Sequence, residues 1–161
     1  MMVRKTEHYA LPRASFQNDP KVLIVIAPYY KPIADNLLKG ATTEILASNG
    51  TFETVEVPGA LEIATAIGIA ERLEKFDAYV ALGCVIRGET THYETVCNDS
   101  SRGLTLLGLQ GLCIGNGILT VDNADQAWVR ASTRKKNKGR DAVLACLSIV
   151  RLKKSIYGDP R

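Results

Sequence analysis

The chain alternates between short, uninterrupted apolar runs and longer segments in which apolar residues recur every three or four positions. The runs at 22–27 and 78–86 are rich in β-branched residues and lack polar alternation, which is typical of strands buried on both faces of a parallel sheet. The segment 33–47 has the spacing of an amphipathic helix, and Asn49 and Gly50 close it. The whole pattern predicts strands at 22–27, 51–57, 78–86 and 112–120, and helices at 33–47, 60–75, 92–107, 124–131 and 139–155.

Local signals add detail to three of these helices. Thr91 and Glu94 have the spacing of a capping box, which would open the helix at 92. Asn123 and Gln126 are the expected caps of the short helix that follows them. The packed face of the helix at 60–75 is expected to include Leu61, Ala64, Ile67 and Leu73.

The order of these elements predicts an α/β fold. Strands and helices alternate, and successive strands are too far apart in sequence to form hairpins. Right-handed crossovers then give a parallel sheet with helices on both faces. We expect a flavodoxin-like, three-layer α/β/α sandwich with a four-stranded parallel sheet, formed by a single domain at 21–161 that follows a flexible N-terminal arm at 1–20.

Composition and charge exclude several classes of protein. The 161 residues are 46% hydrophobic and 23% charged, as in an ordinary globular domain. The net charge of +3 is too small to indicate nucleic acid as the main partner. The N-terminus has no apolar core of a signal peptide, no apolar run is long enough for a membrane helix, and the four cysteines form no C-x-x-C motif. These features predict a cytoplasmic protein without disulfides.

The chemically unusual residues gather where the predicted strands end. Ligands of parallel sheets bind beyond the carboxyl ends of the strands. Backbone N–H groups of Glu89, Thr90 and Thr91 would lie at a helix N-terminus and could hold an anion, although an ordinary capped helix explains the same spacing. His92 follows in the first helical turn, where it could take and return a proton. The segments at the expected strand ends are 27–30, 57–62, 84–92 and 115–117.

Other candidates carry structural explanations beside the functional ones. Glu62 could accept hydrogen bonds from a polyol, or only complement the positive end of its helix. Tyr29 and Tyr30 could stack on a flat ring, or only pack the loop. Cys97 is five residues from His92, off the shared helical face, so a Cys–His nucleophile is not indicated.

Metal, nucleotide and nucleic-acid sites are not indicated. The second histidine, His8, lies in the predicted arm, and no grouping of Cys and His has ligand spacing. Phosphate-binding glycine motifs are absent, so no nucleotide cofactor is expected. A basic stretch has no interleaved aromatic residues and is expected to be a solvated face, except that Arg130, on a helix, could clamp a phosphate. This stretch comprises Arg130, Arg134, Lys135, Lys136, Lys138 and Arg140.

Several strings of the sequence together resemble one enzyme family. They are VPGALEI (57–63), GCVIRGETTHYE (83–94), GNGILT (115–120), NADQAWVRA (123–131) and NKG (137–139). In this order they resemble the 6,7-dimethyl-8-ribityllumazine synthases, which catalyse the penultimate step of riboflavin biosynthesis. The resemblance implies the four-stranded sandwich, no cofactor or metal, and a homo-oligomer built from pentamers with active sites at subunit interfaces. Pentamers, decamers and cages all remain open.

The resemblance also implies a role for each matching residue. The reaction condenses 5-amino-6-(D-ribitylamino)uracil with 3,4-dihydroxy-2-butanone 4-phosphate and releases phosphate and two waters. His92 would move protons, and Arg130 of a neighbouring chain would pair with the phosphate. The phosphate would also bind Glu89 and Thr90, with Lys138 nearby, and the neighbour's Asn116 would meet the pyrimidine edge. The remaining substrate-binding residues would be Tyr29 on the ring, Ala60, Leu61 and Glu62 along the ribityl chain, and Cys84, Val85 and Ile86 beneath the ring.

The sequence departs from the family's usual pattern at several of these positions. After the first strand, where the family usually has Arg-Phe-Asn, the sequence reads Pro28-Tyr29-Tyr30, and Leu61 stands where an aromatic residue is common. Asn116 replaces a bulky apolar residue, and Glu89 a small one. The Glu89 carboxylate would have to point away from a bound phosphate or pair with Arg87. These departures leave open an alternative function, a catalytically weak oligomer that binds flavin or lumazine on the same fold.

Overall fold

The computed structural model describes residues 9–158, in which four parallel strands form one sheet in the order β2-β1-β3-β4. The strands are β1 (Lys21–Ile26), β2 (Thr51–Glu56), β3 (Ala78–Ile86) and β4 (Ile114–Val121). The helices are α1 (Lys31–Ala47), α2 (Ala60–Glu71), α3 (His92–Leu109), α4 (Ala124–Ala131) and α5 (Lys138–Tyr157). The α/β class and the four-stranded parallel sheet predicted from the sequence are confirmed.

The strand order creates a switch point beside β1. The chain steps from β1 to one neighbour, β2, and then returns to the other side of β1 as β3. Ile26 pairs with both Glu56 and Leu82, so β1 and β2 end together and the last residues of β3 extend beyond them at the same edge of the sheet. In open α/β sheets, ligands bind at such a point because the helices that follow diverge to opposite faces.

Helices cover both faces of the sheet. Helices α1, α4 and α5 pack on one face, around a core that includes Leu37, Ile45 and Leu147. Helices α2 and α3 cover the other face, where Ile63, Ile67 and Leu104 pack against β1 and β3. Strands β1 and β3 are therefore buried on both sides, which explains their continuous apolar runs. This is the three-layer, flavodoxin-like sandwich that the pattern predicts.

Helix α2 differs from its prediction in length and in its packed face. It ends at Glu71 rather than at residue 75, because Glu74 adopts a left-handed conformation with φ of 49°. Ile63 and Ile67 are its buried residues. The expectation that Leu61 and Leu73 belong to the packed face is wrong, since these side chains are 39% and 69% exposed.

The capping box predicted at the start of α3 is not formed. The side chain of Thr91 makes no capping hydrogen bond, and the carboxylate of Glu94 pairs with Arg87 instead. The carboxylate binds the guanidinium of Arg87 and not a backbone amide, because a hydrogen bond between two charged groups is stronger than one to a neutral donor. The caps predicted for α4 are confirmed: Asn123 Oδ1 accepts from the Gln126 amide, and Gln126 Oε1 accepts from the Asp122 amide.

Residues 9–20 contain no helix or strand but contact the domain. The Arg13 guanidinium binds the carboxylate of Glu44, Ala14 is buried, and Phe16 packs against the core beside α5. His8 lies outside the described residues. The division of the chain into an arm and a domain at residue 21 stays a prediction.

Candidate active site

A cleft of about 420 Å³ opens at the carboxyl ends of β1, β2 and β3. It brings together eight of the residues that the sequence predicts as site residues. They come from three separate segments of the chain, at the ends of β1, β2 and β3. No single sequence motif therefore describes the cleft. These residues are Tyr29, Ala60, Leu61, Glu62, Cys84, Val85, Ile86 and His92.

Two tyrosines that follow β1 line the cleft. Tyr29 and Tyr30 follow β1, and their rings meet edge to face with centroids 5.0 Å apart. Tyr29 is 76% exposed, so one face of its ring is free to stack on a flat molecule. Burial raises the pKa of Tyr30, with smaller contributions from Tyr29 and Cys84, so its hydroxyl stays protonated at neutral pH.

Glu62 lies in the first turn of α2. Its amide donates to the carbonyl of Gly59, and its carboxylate lies over Gly59, where an added Cβ would be 3.0 Å from Oε2. Glycine at position 59 therefore leaves room for the carboxylate beside the cleft.

The floor of the cleft is the end of β3. Cys84, Val85 and Ile86 are half-buried, whereas the earlier part of the strand is buried completely. Burial raises the pKa of Cys84 to about 11, so its thiol is neutral at pH 7. A neutral thiol is a poor nucleophile.

His92 is the first residue of α3, directly after the β3–α3 connection, and it lines the cleft. Its amide donates to Thr90 Oγ1 at 3.3 Å. Glu89 and Thr90 are exposed, just before the helix N-terminus, and do not line the cleft itself. Among residues 9–158, the ion-pair partners of Arg87 are Glu94 and Asp122, so the expected alternative of an Arg87–Glu89 pair is not realised.

Asn116, Arg130 and Lys138 lie away from this cleft. Asn116 is in the middle of β4, opposite Ala81, because β4 continues to Val121. The prediction that 115–117 forms a strand end was therefore wrong. Asn116 lines a separate groove of about 350 Å³ between α3 and α5.

The basic residues on α4 and α5 have local partners. Arg130 lies on α4, as predicted, and Nη1 donates to the carbonyl of Gln126 at 3.1 Å. Lys138 opens α5 and pairs with Asp141 at 3.0 Å, and Arg140 pairs with the buried Glu44. Within the basic stretch, Lys138 and Arg140 are therefore paired with carboxylates, whereas Arg130 bonds a backbone carbonyl.

Pro58 and Gly59 belong to the strand-end segment 57–62 that the sequence predicts at the site, whereas sequence reasoning missed Val96 as a cleft-lining residue. Val96 is one helical turn after His92, so the i,i+4 rule could have found it. No three or more His, Cys, Asp and Glu side chains of the described segment are grouped to hold a metal ion. Likewise, no helix between residues 9 and 158 is long and apolar enough to cross a membrane.

Comparison with known proteins places the chain in a family. The model of the 6,7-dimethyl-8-ribityllumazine synthases matches residues 19–154. A 6,7-dimethyl-8-ribityllumazine synthase of Jannaschia sp. (strain CCS1) is 53% identical over 91% of this chain and 82% of its own length. Proteins of the same name from Bartonella tribocorum and Sphingopyxis alaskensis are 53% and 52% identical, over 88% and 82% of this chain and 95% and 94% of their own.

Proposed function

The chain belongs to the 6,7-dimethyl-8-ribityllumazine synthase family, and we propose that it catalyses the reaction of that name in riboflavin biosynthesis. It would condense 5-amino-6-(D-ribitylamino)uracil with 3,4-dihydroxy-2-butanone 4-phosphate, without a metal or cofactor. The observation that carries the proposal is the single cleft that gathers an exposed aromatic ring, a carboxylate, an apolar floor and a histidine from three strand ends. Such a cleft suits a flat ring with a polyol chain and one step of proton transfer.

The chemistry assigns a task to each part of the cleft. Tyr29 stacks on the pyrimidine, Cys84–Ile86 support it from below, and Glu62 accepts hydrogen bonds from ribityl hydroxyls. The amine attacks the ketone of the second substrate, and water leaves as the imine forms. Phosphate is then eliminated, and closure of the second ring releases the second water. His92 takes and returns the protons of these steps.

The phosphate needs donors that the cleft of one chain does not itself hold. Thr90 and the backbone at Glu89 lie at the N-terminal end of α3, where unpaired amides favour an anion. Arg130 and Lys138 lie elsewhere in the same chain, so they serve a neighbouring cleft in an assembly, and Asn116 does likewise. We propose a homo-oligomer built from pentamers in the cytoplasm, with each site completed across a subunit interface.

The surface of the chain supports association with further copies. Four leucine and isoleucine side chains on α3 and α5 are exposed, and two of them, Leu109 and Ile149, line the groove that contains Asn116. Exposed apolar side chains around a groove are found at protein–protein interaction sites. These residues are Leu106, Leu109, Ile149 and Leu152.

A weakly catalytic flavin- or lumazine-binding oligomer is the second candidate. The exposed ring of Tyr29 above an apolar floor favours binding of a flat ring whether or not chemistry follows. Binding alone, however, requires neither His92 nor a phosphate site.

The deciding experiment is steady-state formation of the fluorescent lumazine from the two substrates at neutral pH, with a chelator present. We expect turnover, with one phosphate released for each lumazine formed. Tight binding of riboflavin or lumazine without turnover would instead establish the second candidate. In that case the variants Tyr29→Phe and Leu61→Phe, which introduce residue types common at these positions in the family, would be tested for activity.

A further inference from the structure

Arg87 joins three neighbouring elements at the edge of the cleft. It follows β3 directly, and its Nη1 lies 2.5 Å from Glu94 Oε1 in the first turn of α3. Its Nε lies 3.0 Å from Asp122 Oδ1, just after β4. The guanidinium carbon is also 4.3 Å from the centroid of the Tyr93 ring, within the range of a cation–π contact.

The connection that Arg87 precedes has few contacts of its own. Residues 88–91 are all exposed, and a Cβ added to Gly88 would meet no atom within 4 Å. The position of this connection therefore depends on its two ends. At one end the amide of Arg87 donates to the carbonyl of Val121 at 2.9 Å. At the other end lie Tyr93 and Glu94. The Arg87 side chain contacts the ring of the first and pairs with the carboxylate of the second.

We propose that Arg87 is a positioning residue. Its side chain joins the two ends of the connection between β3 and α3, and this contact fixes Thr90 and His92 relative to the floor of the cleft. The inference rests on the proposed function, because Thr90 and His92 matter only if phosphate and proton transfer take place there. Arg87 itself does not line the cleft. It acts through the residues between its two attachment points.

The contribution of these contacts to global stability is expected to be small. The side chains of Arg87, Glu94 and Asp122 are each 47–63% exposed, and exposed ion pairs contribute little to the free energy of unfolding. Their effect on a reacting geometry is larger, since a displacement of about 1 Å costs roughly 100-fold in rate. A variant at Arg87 should therefore fold normally and still lose activity.

The test compares Arg87→Lys and Arg87→Met with the wild type and with a matched control. Arg87→Lys retains the charge but cannot hold two carboxylates with a planar fork. The control is Lys75→Met, in the connection between α2 and β3, away from the cleft. It also removes an ion pair, with Glu53, and a cation–π contact, with Phe76. Each protein is assayed for kcat, for KM of each substrate, for the Kd of 6,7-dimethyl-8-ribityllumazine, and for Tm.

Both Arg87 variants should lose about 10- to 100-fold in kcat and show a raised KM for the phosphate-bearing substrate. The Kd for the lumazine, which carries no phosphate, should stay close to that of the wild type, and Tm should change no more than in Lys75→Met. Wild-type kinetics in Arg87→Met would overturn the inference, and so would wild-type kinetics in Arg87→Lys alone, because charge and not geometry would then be the cause. An equal loss of lumazine binding would indicate a general structural role instead.

Two further measurements keep the outcomes separate. If Arg87→Met does not fold, Glu94→Gln and Asp122→Asn each remove one contact of the same side chain, and the same split between KM and lumazine Kd is expected. Absence of turnover in the wild type would contradict the proposed function, and with it this role. Turnover in the wild type with unchanged Arg87 variants would contradict the positioning role alone.

Discussion

Gly115 of β4 lies directly beneath Ala142 of α5, so close that a Cβ on residue 115 would overlap the Ala142 carbonyl oxygen and lie 2.7 Å from its carbonyl carbon. This contact fixes the distance between the sheet and α5. The side of β4 that faces α5 also includes Gly117, whereas Asn116 points to the opposite side, into the groove beside α3.

Gly115→Ala should destabilise the domain. The two nearest atoms that an added Cβ would meet belong to the backbone of Ala142, which cannot move without shifting α5. Overpacking of this kind costs about 1–3 kcal/mol or more. Gly68→Ala on α2 is the control, because its Cβ would meet only Leu107 Cδ2 at an ordinary 3.7 Å. Urea unfolding of both variants measures the difference, and equal stability of the two would contradict the packing argument.

Glu44 should make stability depend on pH. Its carboxylate is buried on α1, where burial opposes ionisation, yet the guanidinium groups of Arg13 and Arg140 lower its pKa below the ordinary 4.5. A lowered pKa in the folded state adds stability that is complete above the unfolded value and is lost as the pH falls through the folded value.

Glu44→Gln should accordingly reduce the free energy of unfolding by about 1–3 kcal/mol at pH 7. The difference from the wild type should shrink as the pH is lowered below 4.5. Glu53→Gln, which removes an exposed pair with Lys75, is the control and should change stability by less than about 1 kcal/mol. A gap between wild type and Glu44→Gln that is constant from pH 7 to pH 3 would show that the charge is not responsible.

His92→Ala should slow turnover by about 10²- to 10⁴-fold, because it removes the group proposed to transfer protons. Substrate affinity should change modestly, since the ring and floor contacts remain. Thr95→Ala, on the same helix but outside the lining of the cleft, should retain wild-type kinetics. Unchanged kcat in His92→Ala would remove the histidine from its proposed role.

Mixed assemblies should reveal whether two chains share a site. His92→Ala and Arg130→Gln are each expected to be nearly inactive as pure oligomers. After unfolding and refolding together in equal amounts, about a quarter of the interfaces in a ring would combine an intact His92 with a neighbour's intact Arg130. Activity near a quarter of the wild-type rate is expected, whereas no recovery would place both residues in one chain's site.

Most of the layered architecture could be predicted from hydrophobic spacing. The runs that became β1 and β3 are apolar throughout because helices cover both faces of the sheet, and such a pattern is local enough to be recognised in the sequence. The limits of elements were less predictable. The end of α2 depends on the left-handed Glu74, and the end of β4 depends on pairing with β3, which extends to Val121.

The sequence by itself determined the fold class and the segments that carry the site, because hydrophobic periodicity and short motifs are properties of neighbouring residues. Only the tertiary structure decided which of these segments meet. Tyr29, Glu62 and Cys84 share a cleft because the strand order β2-β1-β3 sets three strand ends side by side. The carboxylate of Glu94 binds Arg87 instead of capping α3, because this ion pair is stronger than the local hydrogen bond. Asn116 lines another groove, because the pairing of β4 with β3 places it within the strand and not at its end.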